Sequence, residues 1–209
     1  MTCATRALVA AAIAGSALRA GAQDGPRRAQ DAALEVRLSS GYEQAFGEIG
    51  YALPSLGDYG GPGAALELAV AWRPVAAFAL GVFGTGGLYA RGGEPPAGAE
   101  VWSIAGGAQA ELHVAPDERW DPWIALGVAL RRHGVEREGG TESFDGHEVL
   151  RLRLGFDRRF GARSTLGPVV AVALARFTRH ERPDGSAVDV PSPSLGLIAF
   201  AGLSAAFDL

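Results

Sequence analysis

The residues able to do chemistry sit on one parity of several alternating segments. Glu35 and Arg37 interleave with Leu34, Val36 and Leu38. Glu67 and Arg73 interleave with Leu66, Leu68, Val70 and Trp72. Arg151 and Arg153 interleave with Leu150, Leu152, Leu154 and Phe156, and Glu111 shares a parity with Ser103, Gly107 and Gln109. Carboxylates and guanidiniums confined on one face can pair as salt bridges in an interior, or line a narrow polar pore. Acid–base catalysis needs carboxylates with separated roles, and Arg outnumbers Glu in this set. No catalytic residue is assigned.

The histidines add no recognisable site. His113, His133, His147 and His180 form neither His-x-x-x-His nor His-Glu-x-x-His, so no metal site is expected. No Gly-x-Ser-x-Gly elbow is present, and Ser39, Ser103, Ser164 and Ser204 have no neighbouring His in sequence. Gly84, Gly86 and Gly87 lie inside a strand pattern, not between a strand and a helix, so they read as bend or close-packing positions and not as a phosphate cradle. No cofactor is expected.

The elements that must position these residues are strands. Opposite faces of a strand take alternate residues, so each segment has an apolar face and a charged or small face. The same pattern recurs at Phe78–Val82, Ile124–Leu130, Val170–Leu174 and Leu195–Leu209. About eight strands result, most of roughly 9–14 residues, which suits a tilted bilayer-crossing strand better than a globular one. Connections alternate in length. Gly41–Gly63, Arg91–Gly98, His133–His147 and Thr178–Pro193 are the longer ones, and Arg73–Ala76, Ala115–Asp121 and Asp157–Thr165 the shorter. Long and short ends segregating to opposite sides is the arrangement of an up-and-down transmembrane barrel.

Composition sets the compartment. The first 22 residues carry Arg6, an apolar run from Ala7 to Leu18, and the small-x-small site Ala20-Gly21-Ala22, which together read as a cleaved signal peptide. Residues 23–31 read as a short leader of the mature chain and 32–209 as a single barrel. Cys3 is the one cysteine and falls in the leader, so the mature chain has no thiol for disulfides or metal ligation. Lysine is absent, and losing Arg6 and Arg19 takes the net charge from −4 to −6, which argues against nucleic acid as a partner.

Trp120-Asp121-Pro122-Trp123 followed by Ile124-Ala125-Leu126-Gly127, and an apolar-alternating terminal strand ending in Phe207-Asp208-Leu209, complete the pattern. With the signal peptide, these segments resemble the small eight-stranded outer-membrane barrels, the group of the OmpA transmembrane domain, OmpX and OmpW. The resemblance implies an all-β, eight-stranded antiparallel barrel in the outer membrane. It implies contact with outer-membrane lipids and lipopolysaccharide, insertion by the barrel assembly machinery through a signal at Phe207 and Leu209, and a monomer. Family members often end in an aromatic residue, whereas this chain ends in Leu209.

In such a barrel Glu35, Arg37, Glu67, Arg73, Glu111, Arg151 and Arg153 point into a lumen that side chains can fill. Arg37, Glu67 and Arg151 are expected near mid-height, and Glu35, Glu111 and Arg153 lower. Trp72, Trp102, Trp120 and Trp123 are expected in interfacial girdles, with Tyr42, Tyr51, Tyr59 and Tyr89 towards the outer side. His113 is expected at the inner interface. Acids such as Glu43, Glu48, Asp58, Glu142 and Asp145 are expected in outer loops.

The leading function is structural or surface-interactive, with the lumen closed by charge. The alternatives are a narrow channel or carrier for small solutes, a lipid-modifying enzyme, and a soluble periplasmic barrel of lipocalin type. The His-x-Ser pair of one barrel deacylase family is absent. In the soluble alternative the parity inverts, and Glu35, Arg37, Arg151 and Arg153 face water.

Overall fold

The structure is a computed structural model describing residues 33–160 and 163–209. The expected signal peptide, the mature leader and the barrel's expected first residue, Ala32, lie outside the described residues. The strands are β1 (Ala33–Phe46), β2 (Gly60–Val75), β3 (Phe78–Arg91), β4 (Glu100–His113), β5 (Trp120–Arg137), β6 (Gly140–Phe160), β7 (Ser164–Glu181), β8 (Ala187–Asp189) and β9 (Leu195–Asp208). One four-residue helix, α1 (Leu56–Tyr59), lies between β1 and β2.

Eight long strands close on themselves. Each pairs antiparallel with its sequence neighbour from β1 to β7, β7 pairs with β9, and β9 returns to β1. Closure removes the unpaired edges of an open sheet. The three-residue β8 pairs with β7 beyond the point where β9 leaves it, through Arg179–Asp189, His180–Val188 and Glu181–Ala187.

At one end lie both termini of the barrel and the connections after Val75, His113 and Phe160. At the other lie the segments 47–59, 92–99 and 182–194 and the turn at Glu138–Gly139. The expected long connection His133–His147 is therefore not a loop: β5 and β6 continue as a hairpin to Arg137 and Gly140. Gly139 and Gly140 both have positive φ, which lets so tight a turn close.

The alternation resolves the two faces. Leu34, Leu66, Leu68, Val82, Ile104, Leu126, Val128, Val170, Val172 and Leu203 are exposed on the outside of the wall. Glu35, Arg37, Glu67, Glu111, Arg151 and Arg153 are buried inside it. The lipocalin-type alternative required the reverse, so this arrangement corrects it: the apolar side chains face out.

Candidate functional site in the lumen

On β1 the inward side chains read Glu35, Arg37, Ser39, Glu43 and Ala45 from the terminal end upwards, and every long strand contributes to the same interior. A buried charge is tolerable only when paired and hydrogen-bonded, so what matters is who pairs with whom.

At the terminal end, Arg73 pairs with Glu35 and lies 3.8 Å from Asp208. Arg159 lies 3.8 Å from both Asp208 and Asp121. His113 is held between two carboxylates, with Nδ1 2.6 Å from Asp121 and Nε2 2.9 Å from Glu111. Arg37 gathers this tier: its guanidinium donates to Glu111 at 2.7 Å, Asp157 at 2.8 Å, Glu35 at 3.1 Å and the Ser204 hydroxyl at 3.2 Å.

A second tier follows. Glu67 accepts from Arg151 and lies 2.6 Å from Arg153, which also donates to Ser39 at 3.1 Å. Arg151 reaches Glu148 at 3.3 Å, and Arg131 bridges Glu148 at 2.7 Å to Glu43 at 3.1 Å. Tyr89 donates to Glu43, and its hydroxyl lies 2.7 Å from that of Ser103. Trp123 joins the tiers, with the guanidinium carbons of Arg37 and Arg153 at 4.3 Å and 5.3 Å from its ring centre.

Above the charges the interior turns apolar. Ile49, Leu56, Tyr59, Val101, Val135, Phe144, Phe177, Val190 and Ile198 form one buried cluster. Leu56 and Tyr59 come from α1, and Ile49 and Val190 from flanking loops, so chain outside the wall caps the lumen. A capping box at Ser55 and Asp58 starts α1: Ser55 Oγ accepts from the Asp58 N–H at 3.2 Å, and the Asp58 carboxylate accepts from the Ser55 N–H at 2.9 Å.

The seven expected lumen charges all lie in this interior, yet their pairing crosses the expected heights. Arg37 joins Glu35 and Glu111, while Arg153 joins Glu67. The charges Glu43, Asp121, Arg131, Glu148, Asp157, Arg159 and Asp208 belong to the same network and are absent from the sequence expectation. Parity alone could have found all of these but Glu148, since Glu43, Asp121, Arg131, Asp157, Arg159 and Asp208 each share the inward parity of their strand.

Several placements are corrected. Trp123 is not interfacial: it is 2% exposed and faces the lumen, because Gly155 opposite leaves room for its ring. His113 is 4% exposed and faces inward between its two carboxylates. Glu43 is not a loop acid, since β1 carries it into the interior, and Tyr59 and Tyr89 also turn inward. Trp72 and Trp120 lie exposed on the outside, and Trp102 lies half-buried there over Gly134. Phe207 and Leu209 share the outward parity, and Leu209 is exposed.

Among the described residues, one group has the donor set to hold a cation. A ligand atom from each of Glu35, Glu111 and His113 lies within 4.8 Å of the others. Arg37 and Arg73 already meet these side chains, so guanidinium charge occupies the position a metal would need.

An apolar outer wall around an ion-paired interior is the inverse of a soluble barrel, and the backbone superposes on solved outer-membrane barrels. Neisserial surface protein A superposes with a TM-score of 0.55 at 12% identity, covering 82% of this chain and 95% of that one. The N-terminal β-barrel domain of Pseudomonas aeruginosa OprF gives 0.51 at 9% identity, covering 86% and 98%. The outer membrane protein AlkL gives 0.51 at 13% identity, covering 90% and 94%. The chain has the fold of the small outer-membrane β-barrels. No family model and no curated protein sequence matches it. For a small outer-membrane barrel, the outward leucines and valines are the lipid-facing belt, and the connections at the terminal end are its short turns.

Proposed function

We propose that this chain is an outer-membrane barrel with a structural or surface-interaction role, whose lumen is closed by its own charges. The observation that carries the reading is the ion-pair network. It extends from Arg73 and Asp208 at the terminal end to Arg131 and Glu43 beneath the apolar cap. A solute would have to part charged groups that are each held by at least one counter-charge, and separating a buried pair is strongly unfavourable.

With the lumen closed, contact with the surroundings falls to the outer segments 47–59, 92–99 and 182–194 and the β5–β6 hairpin. Lipopolysaccharide is the expected neighbour of that end. The test is conductance of the purified full chain in planar lipid bilayers, alongside a boiled-against-unboiled shift on gel electrophoresis. A silent bilayer with a heat-modifiable band is expected. A conductance that vanishes in Arg37→Ala/Arg151→Ala would overturn the closed lumen in favour of a narrow channel.

A further inference from the structure

The arginines of the lumen each have a carboxylate within reach. Arg158 breaks that pattern. Asp157 and Arg159 point inward, and Arg158 between them points out through the wall. Its guanidinium carbon lies 5.0 Å from the ring centre of Phe160 and 5.7 Å from that of Trp120. Trp120 stands opposite Arg158 on β5 and stacks on Phe156 at 5.1 Å with an interplanar angle of 10°. The outward ladder at the foot of β6 is therefore Phe156, Arg158 and Phe160, with Trp120 alongside. Among the described residues no carboxylate pairs with Arg158, and its Nε is buried without a hydrogen-bond partner.

The position adds to the chemistry. Arg158 sits where the lipid-facing apolar belt ends at the short turns, the level at which aromatic side chains meet headgroups. Arg119 directly precedes Trp120, and its carbonyl accepts from the Arg159 N–H at 2.9 Å. Arg163 lies in the next turn, where its carbonyl accepts from the Asp208 N–H at 2.9 Å. Both are exposed and unpaired among the described residues; Asp117 and Glu118 share the turn of Arg119 without pairing to it. Two further cations thus share the rim with a guanidinium held by rings, whose planar fork matches a phosphate.

We infer that Arg158, cradled by Trp120 and Phe160, binds the headgroup phosphate of a glycerophospholipid at the short-turn rim. This rests on reading the chain as a membrane barrel with its short turns in the periplasmic leaflet. The rings hold the guanidinium at the interface, the lipid's acyl chains lie along the outward leucines, and Arg119 and Arg163 add to the attraction.

The test is native mass spectrometry of the full chain released from detergent, titrated separately with phosphatidylglycerol, with diacylglycerol lacking the phosphate, and with lipid A. The intact protein is expected to retain one phosphatidylglycerol at a concentration about tenfold below that needed for diacylglycerol. Arg158→Gln should abolish that difference, Arg158→Lys should restore part of it, and Arg176→Gln at the opposite rim should leave it unchanged. Equal retention by Arg158→Gln and the parent overturns the proposal, as does equal loss in Arg176→Gln. Preferred lipid A binding that depends on Arg158 overturns the assignment to a periplasmic phospholipid. Heat-modifiable migration of the same samples reports on the barrel itself: its absence in the parent overturns the membrane reading and this inference with it.

Discussion

Trp123 and Gly155 are one packing unit. They stand opposite each other on β5 and β6, and a Cβ added at Gly155 would come within 2.1 Å of the indole. The glycine is required because the neighbouring backbone must leave space for a ring lying flat in the lumen. Gly155→Ala should force the indole off its seat between Arg37 and Arg153 and cost about 1–3 kcal/mol, as overpacking does. Urea unfolding of the inserted barrel, followed by tryptophan fluorescence, measures it. An unchanged midpoint would show that the ring has another place to go.

Arg37 and Arg132 give a paired comparison of buried and exposed charge. Arg37 has four hydrogen-bond partners in the interior. Arg132 is 42% exposed and held by Asp145 at 2.5 Å. Arg37→Met should destabilise by about 3–5 kcal/mol because it strands Asp157 and leaves Glu111 with His113 alone. Arg132→Met should cost less than about 1 kcal/mol. Equal losses in the same unfolding assay would mean that the lumen pairs behave as if solvated.

Leu56 ties the outer connection to the barrel. It is fully buried in the apolar cluster although α1 lies outside the wall. Leu56→Ala should cost about 2–5 kcal/mol if the cavity cannot collapse. If the segment lifts off instead, the loss appears as faster proteolytic cleavage within 47–59 with the barrel midpoint unchanged. Neither effect would show that the cap contributes nothing.

Asp58 supplies a pH signature outside the barrel wall. Hydrogen bonds from the Ser55 side chain and the Ser55 N–H hold its carboxyl below the ordinary aspartate value. A lowered folded-state pKa means the capping box stabilises α1 above the ordinary carboxylate range and loses that contribution as pH falls through the depressed value. Carbon NMR titration of Asp58 should give a low midpoint that moves up towards the ordinary one in Ser55→Ala, which removes the hydroxyl and keeps the Ser55 N–H. The same midpoint in both proteins would show that the box does not form.

Strand period was legible in the residues themselves. Because side chains alternate strictly, Leu34-Glu35-Val36-Arg37 already assigns an apolar and a charged face, and repetition over some eight segments already points to a closed barrel. The seven charges singled out on that basis all lie inside it. Tertiary structure decided which charge meets which, because pairing depends on strand register and on the shear around the barrel, and neither is written within one strand. It also decided where strands end: β5 and β6 run on as a hairpin through residues whose composition reads as loop. Glu148 was hidden by an irregularity in register between Glu148 and Leu150, which leaves Val149 and Leu150 both outside and brings Glu148 and Arg151 to the same interior. Trp123 was the sharpest case. Its closeness to a strand end suggests an interface, but the decisive neighbour is a glycine 32 positions away that only pairing places opposite it. Local alternation thus chose the face of each side chain, and contacts between distant strands chose its partner.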